Sequence, residues 1–437
     1  MKPVVGKDIG SAPGAPDKKD RDGVHHVMAA AVTRRKPSVR AVAACSILFV
    51  EPQADNERCI SNSLLGANAD WQIVRTASAE SALDIIQQRN ISVIVYCLDD
   101  NKSTTDQCLR AVLEHNPGII RLALVAHSDN SKASELPELA HQTLSADTSP
   151  EHLLTALERC TSAWQRLQGN PQLQSLLATV EQMPTPPAIY FRVREEIDAP
   201  HSDSESIAAI IARDAALAAK ILRLVNSGFF ALPFSVSDLH QAITMLGSEI
   251  VLSLALSAHL FERLPIPGVD LDTIWKHGFL VSALAKRIAQ DEGGKLLDVN
   301  ASSVAGLLHD IGVLVMMANF PHDYQAIIEE QTGVEDHSLV REHELFGVSH
   351  PELGGLILEL WCLPDDIVDA VSNHHRTDDY AQLSIAARAT MLAEWLVNAH
   401  THGDGQVPAV DLPSGISHGQ VAAWWDACEE LANQALI

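Results

Sequence analysis

The front part of the chain alternates short apolar runs with segments of helical periodicity. The runs occupy residues 47–50, 93–96 and 122–125 and consist of Ile, Leu, Val, Ala and single aromatic residues. Continuous apolar strands of this kind indicate a parallel sheet that is covered on both faces. The pattern therefore predicts an α/β domain over residues 45–165, closed by a helix that begins at Pro150.

Beyond residue 187 the strand pattern disappears, and apolar residues recur at three- and four-residue spacing. A break at Gly169-Asn170-Pro171 and the Pro-rich run at residues 183–187 mark a linker over residues 166–187. The sequence thus predicts an all-α domain over residues 188–437. Its predicted helices cover residues 217–225, 242–260, 272–290, 301–318, 350–361, 365–375, 383–398 and 418–436.

The first 44 residues carry no apolar period. Basic side chains are mixed there with Gly, Pro and Asp, which is typical of a disordered arm over residues 1–44. The chain as a whole has the composition of a globular protein, with 46% hydrophobic and 20% charged residues. Its net charge of -25 repels a phosphate backbone, so we expect no nucleic-acid partner.

The spacing of the cysteines and the hydropathy of the chain indicate its cellular compartment. The seven cysteines form no CxxC pair, which favours reduced thiols in a cytoplasm. No run reaches the roughly 18 to 20 apolar residues that span a bilayer, and the N-terminus lacks the order of a signal peptide. The motifs GxxxxGK[ST], GxGxxG and GxSxG are absent, so we expect no nucleotide cofactor. We predict a cytoplasmic protein without a membrane segment.

The order of strands and helices over residues 45–165 resembles the receiver domain of two-component response regulators, which has a flavodoxin-like α/β fold. Receivers phosphorylate an Asp after their third strand, with help from an acidic pair that holds Mg²⁺, a hydroxyl residue and a Lys. The acidic pair falls here on Glu51 and Pro52, the phosphoacceptor on Cys97, the hydroxyl on Val125 or Ala126, and the Lys-Pro pair on Ala146 and Asp147.

Glu51 alone keeps the chemistry of a receiver site. Asp99 and Asp100 lie just beyond the third strand, but a second metal carboxylate and the Lys are missing. Cys97 is either a redox sensor, which needs cations to lower its pKa, or a small residue that fills the strand end. No Lys or Arg is adjacent in sequence, which favours the second interpretation. We predict a pseudo-receiver that binds a signalling partner or a second copy of itself.

Several motifs of the back part occur in a fixed order. Residues 210–217, 221–227 and 242–247 resemble the N-terminal part of HDOD (HD-related output) domains. The resemblance spans roughly residues 180–400 and implies an all-α HD-superfamily fold, related to the HD-GYP phosphodiesterases. Its HD half rests on Gly306-Leu307-Leu308-His309-Asp310-Ile311-Gly312, His350-Pro351-Glu352-Leu353-Gly354 and the pair His374-His375.

The histidines of this part fall on apolar faces of predicted helices. His277 shares a stripe with the apolar residues at 280, 281, 284, 285 and 288, so its ring is expected to point to the core. His350 shares a face with the residues at 353 and 357, and His374 and His375 follow those at 367, 370 and 371. One inward histidine is usually a core residue, but five histidines with Asp310 point to a metal site.

Neutral imidazoles with one bridging carboxylate suit Fe, Mn, Zn or Ni, and the adjacent His309 and Asp310 would let one helix contact two ions. We therefore expect one or two divalent transition metal ions. In the HD superfamily a later helix supplies a final Asp, and the resemblance assigns that position to Glu394, which is one methylene longer. The predicted ligands are His277, His309, Asp310, His350, His374, His375 and Glu394.

Two functions follow from these resemblances. The residues after the paired histidines, Arg376-Thr377-Asp378-Asp379-Tyr380, are not the Gly-Tyr-Pro loop of the related enzymes that act on cyclic dinucleotides. The HDOD resemblance thus implies first a non-catalytic signalling regulator that binds a protein partner or a nucleotide ligand. The alternative is a metal-dependent phosphohydrolase or phosphodiesterase that acts on a cyclic dinucleotide or another nucleotide, with Asp310 as its candidate catalytic residue.

Overall fold

A computed structural model describes the helices, the strands and most of their connections. Cys45–Ile437 form one compact unit. The predicted arm at residues 1–44 lies outside the described residues, as do Pro52, Asp99, Asp100, Ala126 and Asp147. The described residues are 45–51, 60–64, 68, 70–97, 102–125, 139–146, 148–180, 188–197, 199, 201–226, 236–263, 271–330, 338–377, 380–402 and 415–435.

Five parallel strands form a sheet in the order β2-β1-β3-β4-β5. They are β1 (Cys45–Val50), β2 (Trp71–Thr76), β3 (Val93–Cys97), β4 (Ile120–Val125) and β5 (Gln142–Ser145). This is the strand order of doubly wound, flavodoxin-like sheets. The parallel sheet that the apolar runs predict is confirmed.

Helices cover both faces of this sheet, because its strands carry apolar residues on each side. One face, which includes Leu48 and Ile94, packs against the first two helices. The opposite face, which includes Phe49 and Val95, packs against the third. These helices are α1 (Ala79–Gln88), α2 (Lys102–His115) and α3 (Pro150–Gly169).

The rest of the described chain is helical, apart from connections. No strand occurs beyond β5 within the described residues, so the predicted all-α second part is confirmed. The helices are α4 (Pro171–Thr179), α5 (Ala188–Ile197), α6 (Ser204–Ile211), α7 (Ala215–Val225), α8 (Leu239–Leu246), α9 (Ser248–Arg263), α10 (Leu271–Asp291), α11 (Leu296–Leu308), α12 (Ile311–Asn319), α13 (Pro321–Glu330), α14 (Ser338–Phe346), α15 (His350–Leu360), α16 (Asp365–Asn373), α17 (Ile385–His402) and α18 (His418–Ala435).

Two of the predicted helices are each divided into two. The helix predicted over residues 242–260 was wrong because Gly247, at φ 85°, ends α8, and α9 continues after a bend of 105°. The helix predicted over residues 301–318 was wrong because His309 and Asp310 form a turn between α11 and α12. Apolar periodicity continues across both breaks, which is why the sequence pattern does not reveal them.

The predicted linker contains an ordered helix. Asn170 is the only residue between α3 and α4, and its side chain accepts a hydrogen bond from the Leu173 amide at 3.0 Å. This cap and the Pro at the first position of α4 are ordinary signals of a helix start. The Pro-rich run at residues 183–187 lies outside the described residues.

Helix α3 joins the sheet to the helical part. Its Trp164 belongs to an apolar core that continues from the sheet into the following helices. From the same helix, Arg166 Nε lies 3.1 Å from Glu359 Oε2 on α15, and Arg159 pairs with Asp365 on α16. The side-chain amide of Gln142 on β5 donates to Cys362 Sγ at 3.1 Å. Packing and polar contacts therefore hold the two parts together.

One apolar stretch, Leu296–Asn319, is long and apolar enough to cross a membrane by length and composition, with a mean hydropathy of 1.6. It comprises α11 and α12, which the turn at His309 and Asp310 separates. Of its most apolar window, 78% is buried inside the protein. This burial favours a pair of core helices.

Candidate metal centre

Seven polar side chains from separate helices meet in the core of the helical part. His309 and Asp310 come from the turn between α11 and α12. The others are His277 on α10, His350 at the start of α15, His374 and His375 just after α16, and Glu394 on α17. The structure thus brings together every residue that the sequence predicted as a metal ligand.

Local backbone structure explains how Asp310 reaches the cluster. Asp310 occupies the position before α12, where Asp commonly caps a helix, yet its side chain makes no capping hydrogen bond. Its carboxylate faces the imidazoles instead. Gly312, two residues farther on, lets α12 approach the start of α15, since a Cβ there would overlap the His350 carbonyl group.

The first ligand group consists of His277, His309 and Glu394. Glu394 Oε2 lies 3.0 Å from His277 Nε2 and 3.1 Å from His309 Nε2. The two imidazole Nε2 atoms are 3.2 Å apart. Asp310 Oδ2 lies 3.2 Å from His309 Nε2 and 3.8 Å from His277 Nε2.

The second ligand group consists of His350, His374 and His375. The Nε2 atoms of His350 and His374 are 3.2 Å apart, and the His350 and His375 rings have centroids 5.0 Å apart. Asp310 Oδ1 lies 3.6 Å from His350 Nε2 and 4.0 Å from His374 Nε2. Asp310 therefore has one oxygen directed to each group, which is the geometry of a bridging carboxylate.

Hydrogen bonds at the far side of three rings fix which nitrogen faces the cluster. His309 Nδ1 lies 2.8 Å from the Gly306 carbonyl O, and His374 Nδ1 lies 2.7 Å from the Val371 carbonyl O. A carbonyl only accepts, so both Nδ1 atoms carry the proton. His350 Nδ1 faces the Glu342 carboxylate at 2.9 Å and donates in the same way. In the neutral rings, each Nε2 therefore presents a lone pair to the cluster.

Glu394 is one methylene longer than the Asp expected at its position, and its carboxylate still lies within the cluster. The side chain is 5% exposed, and its Oε1 accepts from Asn398 Nδ2 at 2.6 Å. Its Oε2 is buried without a hydrogen bond although two imidazole nitrogens lie within 3.1 Å. An oxygen in this position, next to imidazole nitrogens that are able to act as metal ligands, fits a divalent transition metal. The longer side chain therefore reaches the cluster.

The carboxylates and the imidazoles of the cluster shift each other's pKa values. Burial lowers the pKa of His309, but Asp310 and Glu394 outweigh it, so that pKa lies well above its usual range. Burial raises the pKa of Glu394, but His277 and His309 hold it well below its usual range. The pKa of His374 is lowered by burial and by His375. The cluster thus offers ionised carboxylates beside neutral His374, which is a donor set suited to a cation.

Glu342 on α14 contacts the cluster and was not predicted from the sequence. It is fully buried and touches His350 through both the ring and the backbone amide. In sequence it stands in the charged run Arg341-Glu342-His343-Glu344, which is typical of a solvated helix face. Two residues of α14 share its face: Ser338, one turn earlier, is also buried, and Phe346, one turn later, packs against the core. This signal is too weak to single out Glu342.

For the histidines outside the motifs, including those at 115, 127, 141, 259 and 343, the sequence predicts surface or loop positions. His115 and His343 are exposed. The prediction was wrong for His141, which is buried because its ring packs on Arg121, with His141 Nε2 3.2 Å from Arg121 Nη2. His127 lies outside the described residues, and His259 lies in α9.

The cluster reaches the surface at one edge. The side chains of His277 and Asp310 are 22% and 27% exposed, whereas those of His350 and His374 are 3% and 0% exposed. A recess of about 20 Å³, which is room for about one water molecule, opens at this edge. Its wall includes Ile274, Trp275, Leu307, Ile311 and Leu314, and no Lys or Arg of the described residues.

The strand ends of the sheet form the second predicted site. Glu51 is buried, and its carboxylate accepts from the Ser61 amide at 3.2 Å and the Ser61 hydroxyl at 2.6 Å. The one acidic residue that the receiver comparison retains is therefore engaged within the fold. Cys97, which the receiver resemblance places at the phosphoacceptor position, ends β3 and is half-buried.

Comparison with known families assigns the helical part. Residues 183–377 match the model of the HDOD domain. The chain therefore contains an HDOD domain, as the sequence motifs predicted. Six of the seven cluster residues lie inside this match, whereas Glu394 lies beyond it on α17.

Individual relatives are distant. An uncharacterized protein of Treponema pallidum (strain Nichols) is 24% identical over 247 residues, which are 55% of this chain and 47% of that protein. The chain thus spans about half the length of this curated relative. A candidate signal transduction protein of Marinobacter aquaeolei has 17% identity and a TM-score of 0.48 over 82% of this chain and 87% of its own. A candidate phosphohydrolase of Shewanella amazonensis has 20% identity and a TM-score of 0.47 over 60% and 98%.

Proposed function

We propose that this chain is a cytoplasmic signal-transduction regulator whose HDOD domain holds two divalent transition metal ions, one at each ligand group. The observation that carries the proposal is the pair His350 and His374, whose Nε2 atoms are 3.2 Å apart. Their Nδ1 protons are engaged elsewhere, so in the neutral rings both Nε2 lone pairs are directed to one point in the core. A cation bound there would be held by both nitrogens, and Asp310 is positioned to bridge it to a second cation.

A regulatory role fits the surroundings of the cluster better than turnover of a substrate. The recess beside Asp310 holds about one water molecule, and its wall is largely apolar. A phosphodiester is anionic, yet no Lys or Arg of the described residues lines the recess. In this role the ions stabilise the helices that supply the ligands, and a protein partner or a nucleotide binds to the surface that these helices form.

Metal content tests the proposal directly. We expect about two transition metal ions, drawn from Fe, Mn, Zn and Ni, for each purified full-length chain, since the cluster offers two three-residue ligand groups that share no residue. Elemental analysis by mass spectrometry, after dialysis against a metal-free buffer, measures this number. Full-length protein that carries no metal, and takes up none on addition of Mn²⁺ or Zn²⁺, would sink the proposal.

A metal-dependent phosphohydrolase is the second candidate, because Asp310 and His277 are the exposed edge of the cluster. A metal pair would supply an activated water there, and Asp310 would orient it. The metal-loaded protein should be assayed with bis(p-nitrophenyl) phosphate and with cyclic dinucleotides. If the regulatory proposal is right, the unmodified protein hydrolyses these substrates no faster than the Asp310→Asn variant does. Turnover that requires Asp310 would favour the enzyme.

For the front domain we propose a pseudo-receiver that binds a signalling partner or a second copy of itself. Acetyl phosphate with Mg²⁺ is expected to leave the intact mass unchanged, because Glu51 is engaged by Ser61 and Cys97 stands at the acceptor position. Intact-mass spectrometry of the full chain checks this. An acid-labile adduct on Asp99 or Asp100 would contradict the proposal.

A further inference from the structure

Glu342 is a buried carboxylate that is not in position to bind an ion of either ligand group. Its Oε1 accepts from the Tyr324 hydroxyl at 2.7 Å, and its Oε2 accepts from the His350 backbone amide at 2.7 Å. Both oxygens lie 2.9 Å from His350 Nδ1. Three donors thus converge on a side chain that is fully buried. A buried carboxylate is costly unless such donors satisfy it.

The position of Glu342 determines the state of the His350 ring. Because the carboxylate accepts from Nδ1, the proton stays on Nδ1 and Nε2 faces the cluster. The second bond, to the His350 amide, fixes the start of α15 relative to α14. Carboxylates behind a ligating imidazole orient the ring and strengthen the ligand in metal proteins.

Tyr324 extends the arrangement to a third helix. It is buried on α13, and its hydroxyl donates a hydrogen bond to the Glu342 carboxylate. A chain of hydrogen bonds therefore runs from α13 through α14 to the second ligand group. His277 and His309 of the first group have no such contact with Glu342 among the described hydrogen bonds.

We infer that Glu342 is a positioning residue for the second ligand group, acting through His350 and held by Tyr324, an inference that rests on the proposed metal centre. It predicts that the two ions respond differently to a change at Glu342. The ion at His350, His374 and His375 binds more weakly, and the ion at His277, His309 and Glu394 is unaffected.

The test is a Co²⁺ titration of the full-length protein, followed by absorption spectroscopy and by competition with a chromophoric chelator. His277→Ala and His375→Ala variants identify which absorption bands and which affinity belong to which ligand group. Glu342→Gln keeps the shape of the side chain and removes its charge. Its amide oxygen is still able to accept from His350 while its amide nitrogen donates to Tyr324.

In Glu342→Gln we expect the second ion to bind about 10- to 100-fold more weakly and its absorption bands to shift. The first ion keeps its affinity and spectrum. Glu352→Gln is the matched control, because it removes the same charge two residues from His350. The Glu352 carboxylate accepts hydrogen bonds from Ser349 and not from the His350 ring. That variant should bind both ions as the unmodified chain does.

The outcomes separate this inference from the proposed function. If the unmodified chain binds no Co²⁺, the metal centre itself is wrong. If it binds two ions and Glu342→Gln binds both equally well, or loses both equally, only the positioning role is overturned. Should circular dichroism report that Glu342→Gln is unfolded, Tyr324→Phe replaces it. There we expect a weakening of about threefold, confined to the second ion, and an unchanged second ion would overturn the inference.

Discussion

Gly312→Ala is expected to abolish binding of the second metal ion and to lower the free energy of unfolding by about 3 kcal/mol, near the upper end for overpacking. A Cβ at this position would overlap the His350 carbonyl O and lie 2.8 Å from its carbonyl C. Both atoms belong to the backbone, which does not rotate away as a side chain does. Helix α12 must therefore move away from α15, and His350 moves with α15.

Chemical denaturation and metal analysis of the Gly312→Ala protein measure these two effects. Gly419→Ala is the control, because Gly419 is also helical but, unlike Gly312, exposed, and a Cβ there would meet only Ser417 Oγ at 4.0 Å. Alanine favours helix over glycine by about 1 kcal/mol, so this variant should be as stable as the original or more so. If Gly312→Ala behaves like Gly419→Ala, the close approach of α12 to α15 is wrong.

Asp310→Asn is expected to weaken binding of both metal ions by at least about 100-fold, which is the upper end for residues that only support ligands. The reason is that its two oxygens face different ligand groups, at 3.2 Å from His309 and 3.6 Å from His350. Asn has nearly the same shape and the native side chain caps no helix, so the fold should persist. Metal analysis with circular dichroism measures both quantities.

A single-group variant provides the comparison for Asp310→Asn. His277→Ala removes a ligand of the first group only, and is expected to leave one ion bound per chain. A result in which Asp310→Asn also keeps one ion at full affinity would mean that Asp310 is not shared. The bridging geometry would then be wrong, although either ligand group could still bind an ion.

The sequence predicted most of the site because inward histidines carry a periodic signal. His277 sits on the buried stripe of α10, and its neighbours Val281 and Leu284 are fully buried. His309, His350 and His374 come from motifs whose order identifies an HDOD domain. Glu394 was assigned through the same resemblance, and its buried oxygen next to His277 supports that assignment.

Other features were not accessible from the sequence. Glu342 is surrounded by charged residues, and only the tertiary contact with His350 distinguishes it from a solvated glutamate. The break at His309 and Asp310 interrupts hydrogen bonding without interrupting the apolar pattern. His141 is buried because it covers Arg121, a pairing that arises from the parallel register of β4 and β5.

The placement of α3 has a consequence for how the chain could be divided or recombined. Trp164 of α3 is buried in a core that includes Phe49 of the sheet and Leu356 of α15. Separating the halves would expose this apolar surface to water, at a cost of about 25 cal/mol for each Å². A front module could therefore not be exchanged for another by cutting at residue 166, unless the replacement brought its own helix shaped to fit α15 and α16.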